Sequence, residues 1–161
     1  MKQMKRLIFL FVSLMPAVVV AAPPIFEANW PSITFNGGVP VGGNANLKIW
    51  EDGNYQFTGH FHDSGATSYD TGVMFAVKGH NGYVLTFSNT GRVHGTFESG
   101  SRDHDWNVTG KNQYIVDHAR EFMGAAWRSK ANTSLNLGGL WSSIKTGLGE
   151  IAGIIAVVGA L

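Results

Sequence analysis

The residues best suited to chemistry are His60-Phe61-His62. On an extended strand, side chains two apart point the same way. The two imidazoles therefore share one face about 7 Å apart, a spacing that suits two ligands of a single zinc ion. Asp63 or Asp70 from the segment that follows adds a carboxylate, so His60, His62 and Asp63 form a candidate metal set for a metal-dependent hydrolase. The competing reading is a solvated polar face alternating with Phe57 and Phe61, with no cofactor bound and no catalysis. His94 looks like a third ligand, but a sheet in sequence order puts it three strand spacings, roughly 14 Å, from His60.

A second polar cluster runs from Glu98 through Ser101, Arg102, Asp103, His104 and Asp105 to Trp106. It offers a catalytic carboxylate with a histidine, or a calcium-type oxygen cluster, but matches no spacing with a mechanical reason behind it and is read as a loop pinned by its own hydrogen bonds. His80 falls in a turn and His118 on the wet face of an expected helix. The chain has no cysteine, which excludes a disulfide framework, a thiolate metal site and a cysteine nucleophile. It also lacks a nucleophile elbow, a His-Glu-x-x-His zinc motif and a phosphate-cradling glycine loop.

The elements that must position these residues are mainly β. With 21 Gly among 161 residues and 14% charged side chains, the composition fits one turn-rich β domain. Three turn signals stand out, Glu51-Asp52-Gly53, His80-Asn81-Gly82 and Asn89-Thr90-Gly91. Residues paired across a hairpin share a face, which favours three-residue loops with Gly third: Ile49 then meets Tyr55, Leu47 meets Phe57, Val77 meets Leu85, Phe75 meets Phe87, and Phe87 meets Val93. The inner face so defined is Leu47, Ile49, Tyr55, Phe57, Phe61, Val73, Phe75, Val77, Tyr83, Leu85, Phe87, Val93 and Phe97. With short strands at Ile33 to Asn36 and Trp106 to Thr109, the expected fold is an antiparallel up-and-down meander over residues 23–110. About seven strands would make a small barrel or strongly curled sheet with C-terminal helices. A small-ligand-binding barrel is a third functional class, disfavoured by an interior full of aromatic rings.

The start of the chain carries Lys2, Lys5 and Arg6, then an apolar run from Leu7 to Val20 and small residues at Ala21-Ala22. This is the layout of a secretory signal peptide over 1–22, cut after Ala22, and predicts a periplasmic or extracellular protein. Asn107-Val108-Thr109 and Asn132-Thr133-Ser134 match the glycosylation sequon, which matters only on a eukaryotic secretory route. With the three leading bases set aside, nine basic residues face 11 acidic ones, a net charge of −2. No basic stripe remains, and nucleic acid is not an expected partner.

Beyond Asn112 the apolar period becomes helical. Tyr114, Ile115, Ala119, Phe122, Met123, Ala126 and Trp127 predict an amphipathic helix over 111–131, docked on the β domain. Residues 132–161 are expected to form an apolar helical segment with Leu140, Trp141, Ile144, Leu148, Ile151, Ile155 and Val158 on one face. Gly149 and Gly153 are candidates for close helix packing. Gly139-Leu140-Trp141-Ser142-Ser143-Ile144-Lys145 resembles the opening of the dermaseptin family of amphipathic, membrane-disrupting peptides. That resemblance implies a helix that lies on or enters a bilayer; here Lys145 and Glu150 cancel, so the cationic attraction to lipid is missing. The leading functional expectation is a secreted, non-catalytic β-domain protein. Its seven-residue apolar face would contact a lipid bilayer or a protein partner, including a second copy in a homo-oligomer.

Overall fold

A computed structural model describes residues 22–159. The expected export signal lies outside the described residues except for Ala22. The chain is mainly β: β1 (Phe26–Thr34), β2 (Val41–Ile49), β3 (Asn54–Asp63), β4 (Tyr69–Lys78), β5 (Tyr83–Val93), β6 (Asp103–Lys111), β7 (Ala126–Asn132) and β8 (Gly153–Val158). Two short helices, α1 (Gln113–Asp117) and α2 (Leu137–Lys145), and a 3-10 turn at Ala119–Phe122 complete it.

Two of the expected hairpins form in the expected register. Leu47 faces Phe57 and Ile49 faces Tyr55 across β2 and β3, while Val77 faces Leu85 and Phe75 faces Phe87 across β4 and β5. Each loop closes three residues: Trp50 N–H donates to Asn54 at 2.9 Å and Gly79 N–H to Tyr83 at 2.9 Å. The third loop residue turns left-handed, at φ +84° in Gly53 and +81° in Gly82, which is why both positions are glycine.

The strands do not form one meander, and no barrel closes among the described residues. They make two four-stranded sheets, in the orders β1-β2-β3-β6 and β7-β4-β5-β8. After Asp63 the chain crosses to the second sheet, so β3 pairs with β6 and not with β4. The sheets face each other over an aromatic core, in which Phe57 packs edge-on to Phe75 at 5.7 Å and Tyr55 to Phe87 at 5.5 Å. The sandwich signal is the run Val73-Met74-Phe75-Ala76-Val77, buried on both faces, whereas a barrel strand alternates. Ten of the 13 expected inner residues are buried; Tyr55 is half-buried, and Tyr83 and Phe97 are exposed.

Asn89-Thr90-Gly91 is not a turn, because β5 runs straight through it. Gly91 answers a close approach instead: the His104 imidazole lies where a Cβ would stand. Phe97 consequently falls in the loop before β6 and is 86% exposed.

The expected helix over 111–131 is replaced by shorter pieces. Asn112 caps α1 by accepting from Tyr114 N–H at 2.9 Å, and Gly124, at φ +67°, ends the helical region. Beyond it Trp127, Ser129 and Ala131 alternate with exposed Ala126, Arg128 and Lys130, and β7 pairs with β4. Trp127 stacks on Phe75 at 5.5 Å.

The C-terminal segment is likewise only partly helical. Leu140, Ile144 and Leu148 are buried on Met74, Ala76 and Val84, the outer face of the second sheet, forming a third layer. Gly149, at φ +68°, then breaks the run, and the branched residues Ile154, Ile155, Val157 and Val158 continue as β8, parallel to β5. Lys78 ties the junction by donating to the Leu148 carbonyl at 2.9 Å and to that of Glu150. Gly149 and Gly153 are therefore a turn residue and a strand start, not a helix-packing pair. Among the described residues no helix is long and apolar enough to cross a membrane.

Candidate functional site

His60 and His62 both project from the outer face of the first sheet, as their spacing requires. Opposite them on β6 stand Asp105 and Asp103, paired in register as His60 with Asp105 and His62 with Asp103. His60 Nδ1 lies 2.8 Å from Asp105 Oδ1, and His62 Nδ1 lies 2.7 Å from Asp103 Oδ1. Asp103 Oδ1 is also 3.6 Å from His60 Nε2. The four side chains thus form an alternating chain, Asp105, His60, Asp103, His62, with the imidazole rings parallel within 12° and 6.5 Å apart. His60 is 37% and His62 47% exposed, so the array is open to solvent and small solutes.

Asp63 does not belong to it. The same alternation that turns His60 and His62 outward turns Asp63 inward, where it is buried, and Oδ1 accepts from Gly65 N–H at 2.7 Å. Its Oδ2 has no hydrogen-bond partner among the described residues. Asp70 is on the second sheet and pairs with Arg92 at 3.1 Å. His94 follows β5 of that second sheet, its backbone N–H donates to the Ser101 carbonyl at 2.9 Å, and its Nδ1 is buried without a partner among the described residues.

The polar cluster at 98–106 divides in two. Arg102 pins the loop by donating from Nε to the Asp63 carbonyl at 2.8 Å, and β6 begins at Asp103. His104 points inward, 2.7 Å from Asn89 Oδ1 and stacked on Trp106. Glu98 accepts from Ser68; these bonds, with the nearby Arg92, hold its carboxyl below the ordinary 4.5. Asp103 and Asp105 are the site residues that sequence reasoning missed. The available signal was their own period of two, alternating with inward His104 and Trp106.

A shallow depression of about 430 Å³ continues from His60 and Asp105 past Asn44, Thr58 and Asn107. A larger open cleft of about 920 Å³ lies at the far end of the same face, beside Trp50 and Tyr55. The Trp50 indole N–H donates there to the Ala22 carbonyl at 3.1 Å.

Of the seven residues expected to contact a membrane or partner, Leu140, Ile144 and Leu148 are buried, and Trp141, Ile151, Ile155 and Val158 are half-buried. The dermaseptin-like residues lie within α2, with their apolar face against the second sheet. As they stand, no three His, Asp or Glu side chains converge on one point among the described residues. Comparison with protein-family models, with curated proteins and with solved structures finds no match to the chain.

Proposed function

We propose that this is an exported, non-catalytic β-sandwich protein that self-associates by joining the β8 strands of two copies. Export rests on the basic start, the apolar run and the small residues before Pro23. Self-association rests on the character of one sheet edge. Edge strands offer unpaired backbone groups to other chains, and proteins guard them with charge, proline or bulges. β1 carries Pro31 and a register shift between Trp30 and Ile33. β6 carries Asp103, Asp105 and Lys111, and β7 carries Arg128 and Lys130. β8 carries neither charge nor proline: it reads Gly-Ile-Ile-Ala-Val-Val, with one register shift toward β5 between Ala156 and Val158, and no strand pairs with its far side among the described residues.

A second copy running antiparallel and centred on Ile155 would set Ile154 opposite Ala156 on one face and extend the second sheet to eight strands. The helical stripe supports pairing of copies over insertion in lipid, because Leu140, Ile144 and Leu148 already cover the sheet. Light scattering across a concentration series tests the reading. The expected result is a dimer mass that falls to monomer in Ile154→Lys and Ala156→Lys, both at exposed positions, with unchanged thermal stability. A wild-type monomer at about 100 µM, weaker than any specific interface of use, overturns it. Flotation of that monomer with phosphatidylglycerol vesicles would transfer the C-terminal segment to the membrane reading.

A further inference from the structure

We infer that His60, His62 and Asp103 form a binding site for one divalent transition-metal ion of the zinc or copper(II) class, with Asp105 as the outer carboxylate that positions His60. The inference is independent of self-association, since β3 and β6 are in the sheet that does not contain β8. Three features of the array carry it.

The first is ligand separation. Two donors on one tetrahedral zinc, at bonds of about 2.0–2.1 Å, stand about 3.3 Å apart. His60 Nε2 and Asp103 Oδ1 are 3.6 Å apart, so an ion fits between them with a few tenths of an ångström of closure. Next comes tautomer control. Histidine ligands characteristically donate their other ring N–H to a carboxylate, which fixes the ring and leaves the second nitrogen free. Asp105 Oδ1 at 2.8 Å from His60 Nδ1 is such a partner, and it directs the Nε2 lone pair toward Asp103.

The third is the position of His62. Its Nδ1 is 2.7 Å from Asp103 Oδ1, a hydrogen bond shorter than the spacing of two co-ligands. It becomes a donor by giving up that bond and withdrawing roughly 0.6 Å, a small change for a half-exposed ring. Three donors do not converge on one point until His62 has made this movement. Two imidazoles and one carboxylate at an exposed face leave further positions to water, the donor set of an open zinc or copper(II) site.

Isothermal titration of the purified chain with zinc chloride, in a non-chelating buffer, tests the site. One ion per chain is expected. His60→Ala and His62→Ala should each weaken binding at least tenfold, and Asp105→Ala by about ten- to a hundredfold. Copper(II) bound to the Asp105→Ala protein should still show two nitrogen ligands by electron paramagnetic resonance, which separates positioning from ligation. Thermal melts of the three variants should match the parent, as all three side chains are at least a third exposed. His80→Ala, at the β4–β5 turn, should bind zinc as the parent does. No binding at about 1 mM zinc, full binding in His60→Ala or His62→Ala, or equal loss in His80→Ala each overturns the site. Unchanged affinity in Asp105→Ala overturns the role given to that carboxylate.

Discussion

Replacing Ile144 by Ala separates a C-terminal helix that is part of the fold from one held free for a membrane. Ile144 is 2% exposed and packs among Met74, Ala76, Val84, Leu140 and Leu148. The change removes three carbon groups, worth about 2.4 kcal/mol in transfer at roughly 0.8 kcal/mol each. A cavity term adds to this, within the 2–5 kcal/mol span of such truncations. α2 covers the sheet from outside and settles partly into the space, so a loss of about 3 kcal/mol is expected. At a urea slope of about 2 kcal/mol per molar for a domain of this size, the midpoint should fall by about 1.5 M with no change in slope. Ser143→Ala, one residue away and exposed, should stay within about 0.5 kcal/mol. A midpoint shift under about 0.3 M for Ile144→Ala would refute the packing of α2 on β4 and β5.

Gly59 lies under the Trp106 indole, with the ring where a Cβ would be. Gly59→Val should displace Trp106 from Phe57 and Phe61, cost about 1–3 kcal/mol, and change tryptophan emission; an unchanged spectrum and melt would refute the contact. Glu98 supplies the pH test. Its folded carboxyl is held below the 4.5 of the unfolded chain, so its stabilising effect is complete above that value and is lost as pH falls through the lower folded value. Ser68→Ala should therefore shrink the stability lost between pH 6 and pH 3, as read by urea midpoints, and an identical pH profile would remove Ser68 as the cause.

What was legible in the sequence was local. Cross-strand pairing of apolar residues selects three-residue loops at Glu51–Gly53 and His80–Gly82, and both hold because loop and partners lie within one hairpin. Leu140, Ile144 and Leu148, at i, i+4 and i+8, are also a readable buried stripe. The errors arise where the same residue satisfies two physical demands. Gly91 has the look of a turn glycine, yet its missing side chain makes room for His104 from β6, which belongs to the other sheet. Ala126 and Trp127 continue a helical period, but Gly124 stops the helix, and Trp127, Ser129 and Ala131 then fit a strand equally well. Ile151 to Val158 extends the apolar stripe on paper, while its branched residues favour the extended chain once Gly149 has turned it.

The histidine array shows how topology decides chemistry that alternation leaves open. Period two puts His60 and His62 on one face, and because β3 continues through Asp63 it turns that carboxylate inward. Which carboxylate meets the imidazoles depends on which strand lies beside β3. In a meander that neighbour is β4, whose own acid is Asp70; in the sandwich it is β6, and Asp70 goes to Arg92 on the other sheet. Asp103 and Asp105 are about 40 residues from the histidines, so no local pattern announces the pairing. The two topologies therefore predict opposite outcomes for one pair of substitutions. In the sandwich Asp105→Ala weakens zinc binding and Asp70→Ala leaves it intact, whereas a meander reverses them, so zinc titration of these variants tests strand order as well as the site.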